Sequence, residues 1–136
     1  MKYNIETGWD LLVQEISLDN GATWTDLPPN GGYPASGTLT NAGNACGYPV
    51  GKTAFGGSTS GTPTNDAAPS VFQPFNTSMA AYSGQTVRLR WRFSADGGYE
   101  VGGAFLDQIT LSGTESDRIF RGQFETVAGP FTCTPL

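Results

Sequence analysis

The sequence predicts an all-β fold, a sandwich or barrel of short strands in one domain, and three observations predict it. The chain carries 19 Gly and 9 Pro among its 136 residues, a density of turn formers that interrupts long regular elements. No window keeps the apolar spacing of a helix beyond about two turns, whereas several segments alternate with a period of two. The length suits a single hydrophobic core.

The first element is the strand Trp9–Ser17. Leu12 and Ile16 share one face with Gln14 between them, and Leu11, Val13 and Glu15 share the other, so the strand reads as covered on both sides. It runs into Asp19-Asn20-Gly21, where Asp accepts hydrogen bonds from following amides and Gly takes positive φ. Thr23-Trp24-Thr25 begins the return strand, with the Trp24 indole packing the turn down.

From Leu27 to Pro74 the chain is dominated by Gly, Pro, Asn, Ser and Thr. A loop region of this length in a compact domain is functional, metal-pinned or mobile. Val71 and Phe72 mark a short strand at its end. The strongest alternation is Thr86–Phe93, with Val87, Leu89, Trp91 and Phe93 on one face and Arg88, Arg90 and Arg92 on the other. A last strand, 104–111, puts Phe105, Asp107, Ile109 and Leu111 on one face.

Composition excludes several functions. Only 14% of residues are charged and the net charge is -5, so nucleic acid is not an expected partner. No stretch reaches the roughly 18 apolar residues of a membrane span. The start Met1–Glu6 lacks the apolar segment of a signal peptide, which fits a piece of a longer precursor. Cys46 and Cys133 have no metal-ligand spacing. A disulfide between them suits an extracellular domain and closes a loop of about 90 residues; two free thiols are the other reading.

Asp107 most needs a partner, because a carboxylate on a core face is costly unless paired, hydrogen-bonded or metal-bound. One solution is calcium, with Asp96, Glu100 and backbone carbonyls completing the oxygen set. The other is that Asp107 accepts bonds from backbone amides or pairs with an arginine. The arginine row reads mainly as an exposed face paired across strands with acids such as Glu15.

Sugar stacking is open to the aromatic residues outside the core. Trp91 belongs to the core face, leaving Trp9, Tyr33, Tyr48, Tyr82 and Tyr99 as platforms, with Tyr33 and Tyr99 the candidate glycan ligands. Catalysis finds little support: the chain has no histidine, and no two acids stand out as a pair.

Two resemblances are carried by specific residues. Ser17-x-Asp19-x-Gly21-x-Thr23-Trp24 resembles the Asp-box hairpin, a structural element of sialidases and many secreted proteins. In order along the chain, Trp9-Asp10, that hairpin, Tyr82–Trp91 and Gly103–Ile109 resemble the MAM-like jelly roll appended to secreted bacterial peptidases such as the immune inhibitor A metallopeptidases. The likeness spans about residues 3 to 112. It implies a jelly-roll β-sandwich of two antiparallel sheets over 1–112, with a structural calcium site at Asp107. The family's second acid beside that position is here Gln108.

Related modules also carry strands before the Trp-Asp strand, and this chain has little sequence there, so an open sheet edge is expected. The remaining segment, 113–136, is read as a tail packing on the domain or on a partner. Its Ile119-Phe120-Arg121-Gly122-Gln123-Phe124-Glu125 resembles the ending of many secreted proteins of Gram-negative bacteria and is a candidate to fill the open edge, in its own chain or in another. The expected function is thus a non-catalytic accessory domain of a secreted protein that contacts the other domains of its parent. The alternatives are a carbohydrate-binding module and a self-assembling subunit.

Overall fold

The computed structural model describes residues 1–41, 48–60 and 71–112, and these form two three-stranded antiparallel sheets with no α-helix among them. The strands are β1 (Lys2–Ile5), β2 (Leu11–Ser17), β3 (Thr25–Asp26), β4 (Gly57–Ser58), β5 (Arg88–Ser94) and β6 (Gly103–Phe105). The first sheet has the order β4-β1-β6 and the second β3-β2-β5.

All seven residues of β2 are buried, as its two apolar faces require. On one face Leu12 joins Tyr3 and Ile5 of β1 and Phe55 in a cluster that spans both sheets. Phe55 is tied to Leu12 by backbone bonds in both directions, at 2.9 and 3.0 Å, and its ring meets Tyr33 and Phe75 edge-on at 5.0 Å. On the other face Leu11 and Val13 pack against Leu39 and Ala54. The Gly/Pro-rich region is therefore partly a cover for β2. Its strands of contact are irregular, with bridges Thr38 to Thr53 and Leu12 to Phe55. The cover lies so close that a Cβ on Gly37 would stand 1.8 Å from the Ala54 carbonyl oxygen.

The Ser17–Trp24 hairpin closes as its residues predict. Ser17 Oγ donates to Asp19 Oδ1 at 2.7 Å and accepts from the Gly21 amide at 2.8 Å, while Asp19 also accepts from the Thr23 amide and hydroxyl. Asn20 and Gly21 take positive φ, 63° and 95°. Trp24 Nε1 donates to the Gly21 carbonyl at 3.0 Å, and the indole stacks on the Arg90 guanidinium at 4.0 Å. β5 pairs with β2 along its whole length, setting Glu15 opposite Arg90.

Three expectations are corrected. The sequence before Trp9 is not empty: Lys2–Ile5 is the central strand of the first sheet, because Tyr3 and Ile5 alternate with polar residues and bury against Leu12. Val71 and Phe72 form no strand and are exposed. Pro74 removes a ladder donor there, and the contact is reduced to the two-way backbone bond between Gln73 and Met1. The strand expected over 104–111 stops at Phe105. Gln108 takes φ 51°, which breaks the extended run, and Asp107 is exposed rather than set among core residues.

Candidate functional site

The acidic residues that converge are Glu6, Asp10 and Asp96. After β1 the chain makes a tight turn in which the Trp9 and Asp10 amides donate to the Glu6 carbonyl at 3.4 and 3.1 Å. Gly8 holds φ 82°, and its carbonyl accepts from the Thr40 and Asn41 amides at 3.0 and 3.1 Å. The turn sets the Glu6 and Asp10 side chains together at the entrance to β2. Because Ser94 at the end of β5 pairs with Leu11 at the start of β2, Asp96 arrives beside Asp10. The Asp96 amide donates to Asp10 Oδ1 at 3.0 Å, and one carboxylate oxygen from each of the three residues lies within 4.8 Å of the others.

The charges in this cluster are poorly compensated. Asp10 is buried, at 4% exposure, and Glu6 Oε2 is buried without a hydrogen-bond partner among the described residues. The Glu6 carboxyl is pushed above the usual carboxylate range by desolvation and then by repulsion from Asp96 and Asp10. Desolvation and Asp96 raise Asp10 as well, partly offset by the bond from the Asp96 amide. Three carboxylates without imidazole or thiolate form a hard oxygen set of the kind that suits calcium.

Of the sequence-predicted metal ligands, only Asp96 belongs to this group. Glu100 and Asp107 lie outside it. Asp107 instead accepts the Gln108 amide at 2.8 Å, the alternative that its residue type allowed. Glu6 and Asp10 were not anticipated. The available signal was a carboxylate, Asp10, immediately before a strand buried on both faces.

The aromatic candidates separate in the same way. The Tyr33 ring packs on Phe55, and its hydroxyl accepts from the Gln14 amide at 3.2 Å and donates to the Gln14 carbonyl at 3.1 Å. Burial pushes this phenol up to about 12. Tyr33 is thus a brace between loop and strand, with its polar tip occupied. Tyr99 is 43% exposed. The expected pairing of the arginine row is present at Arg90, whose Nε donates to Glu15 Oε2 at 2.6 Å, and Arg92 lies over the Tyr48 ring at 4.5 Å.

A second feature is an open groove of about 790 Å³ on the side of the molecule where β5 faces the segment after β6. Trp91 and Leu89, expected in the core, are only half-buried and line it. Trp91 Nε1 is held by Gln14 Oε1 at 3.2 Å. Cys46, Cys133 and the tail 113–136 lie outside the described residues. No helix among the described residues is long and apolar enough to cross a membrane. Comparison with protein-family models, with curated proteins and with solved structures finds no match to this chain.

Proposed function

We propose that this chain is a non-catalytic accessory domain of a secreted protein, a MAM-like jelly-roll sandwich stabilised by calcium bound between Glu6, Asp10 and Asp96. The observation that carries the calcium part is the convergence of three carboxylates, of which Glu6 and Asp10 are raised above the ordinary carboxylate range and Glu6 keeps one buried, unpartnered oxygen. A divalent cation neutralises that repulsion and satisfies the orphaned oxygen. Three carboxylates supply up to six oxygens, and water or backbone carbonyls complete a calcium shell of about six to eight. In this role the ion ties the turn before β2 to the loop after β5, so it acts on stability and on the shape of one end of the domain.

The jelly-roll part rests on two antiparallel sheets that share one apolar cluster. The accessory part rests on the chemical inventory. The chain has no histidine, and the most perturbed tyrosine, Tyr33, has its hydroxyl committed to backbone. Calorimetric titration of the chelator-stripped chain with calcium tests the reading. One site per chain, abolished by Asp10→Asn, is expected; absence of binding heat at millimolar calcium overturns it.

A further inference from the structure

The loop cover of β2 brings a lysine against an aspartate. Val13 and Glu15 share one face of β2, and the cover packs on that face through Leu39, Ala54 and Tyr48. Within the cover the Leu39 amide donates to the Lys52 carbonyl at 2.9 Å, and the Lys52 amide donates to the Pro49 carbonyl at 3.1 Å. These bonds fix the Lys52 backbone, and its Nζ meets Asp26 Oδ2 of β3. Asp26 is held in turn by the β2–β3 ladder, where it sits opposite Glu15, and by the Leu27 amide, which donates to the Gln14 carbonyl at 2.9 Å. Glu15 is 6% exposed, the Lys52 side chain is 16% exposed, and Nζ lies 5.6 Å from the centre of the Tyr48 ring. An amine, a carboxyl carbon and a buried second acid thus converge from three segments, each anchored through its backbone.

We propose that Lys52 and Asp26 condense into an amide, a covalent crosslink between the loop cover and β3, with Glu15 as the proton carrier. The Lys52 ammonium gives one proton to the Asp26 carboxylate, leaving a neutral amine beside a neutral acid. The Nζ lone pair attacks Asp26 Cγ, and the Nζ–Cγ bond forms. Glu15 takes a second proton from the nitrogen and delivers it to the departing hydroxyl, so the Cγ–O bond breaks and water leaves. No oxidant or other reagent enters, and the net charge is unchanged. Reacting groups held in fixed geometry reach effective molarities of about 10⁵–10⁸ M, which favours a condensation that free lysine and aspartate do not undergo in water. Like charges directly opposite on neighbouring strands are destabilising. The amide removes the charge on Asp26 and leaves Glu15 to its bond from Arg90. Among the described residues β3 is a two-residue strand at the edge of its sheet, so the crosslink fastens a strand that its short ladder holds weakly. This chemistry lies apart from the acidic cluster and is independent of the calcium proposal.

The intact mass of the folded full-length chain, measured after reduction and denaturation, tests this. Wild type is expected to be lighter than its sequence by one water molecule, and Lys52→Arg and Asp26→Ala are each expected to have their full sequence mass. Proteolytic mapping of wild type is expected to yield a branched peptide joining positions 26 and 52, which distinguishes the crosslink from dehydration of an isolated aspartate. Glu15→Gln keeps both reacting groups and is expected to retain the full mass while its circular dichroism matches wild type. A wild-type chain of full sequence mass overturns the proposal and leaves Lys52 and Asp26 as a plain ion pair. Water loss that persists in Lys52→Arg overturns it equally, and water loss that persists in Glu15→Gln overturns the role given to Glu15.

Discussion

The Asp96 amide donates to the Asp10 carboxylate at 3.0 Å, joining the residue that precedes β2 to the loop that follows β5. That bond brings two negative side chains together at a site where Glu6 adds a third. The cost of this arrangement, and what relieves it, lead to the first two predictions.

Glu6→Gln and Asp10→Asn each remove a charge while keeping an acceptor oxygen. Without divalent cations, both variants are expected to melt at or above the wild-type temperature, because repulsion and desolvation of the carboxylates are relieved. Both are expected to lose the response to calcium. A calcium response retained in Asp10→Asn would contradict the assignment.

The same groups set the pH dependence of the calcium-free chain. Folding raises the Glu6 and Asp10 carboxyls, so the folded state holds more protons than the unfolded one between the ordinary carboxylate range, about 4, and the raised values. Stability therefore falls as pH rises through that window, and the calcium-free chain is expected to be more stable at mildly acid pH than at neutrality. Saturating calcium reverses the trend, since protons compete for its ligands. Asp19 works in the opposite sense. Bonds from Thr23 and Ser17 hold it at about 2, so its contribution is present above the ordinary range and is lost as pH falls toward 2. Thermal melts from pH 3 to 8, with and without calcium, separate the two.

Phe55 joins loop, both sheets and three other rings. Phe55→Ala is expected to cost about 3–5 kcal/mol in urea unfolding. Tyr33→Phe leaves the ring in place and strips the hydroxyl from the Gln14 backbone. Its expected cost is about 1–2 kcal/mol, and any glycan binding by the chain is expected to be unchanged.

Gly37→Ala tests whether the loop cover is a packed layer. Its added methyl meets the Ala54 carbonyl, and because that atom is backbone, relief requires moving the chain. A loss of about 3 kcal/mol is expected from overpacking alone. A neutral result would mean that the cover over Leu11 and Val13 is loosely held.

The strands that bury both faces or alternate strictly were legible in the sequence. β2 announces itself by apolar residues at adjacent positions, β5 by the Arg and apolar rows, and the Ser17–Trp24 turn by side chains that bond their own backbone. Of the first sheet only β6 was legible, as the start of the strand expected over 104–111. β1 has four residues and β4 two, too short for periodicity to register, and the partners of β1 lie more than 50 residues away in sequence. The acidic site failed for a related reason. Glu6 and Asp10 come together through a local turn, but Asp96 reaches them only through the β2–β5 register. Asp107 looked buried because alternation was carried past Phe105, where Gln108 ends it.

The most direct test of the account is the melting temperature of the chelator-stripped full-length chain with and without calcium. Calcium about 100-fold above its dissociation constant adds about 2.7 kcal/mol, a rise of roughly 8 °C for a domain of this size, which Glu6→Gln and Asp10→Asn should abolish. An unchanged wild-type melting temperature at millimolar calcium would contradict the account.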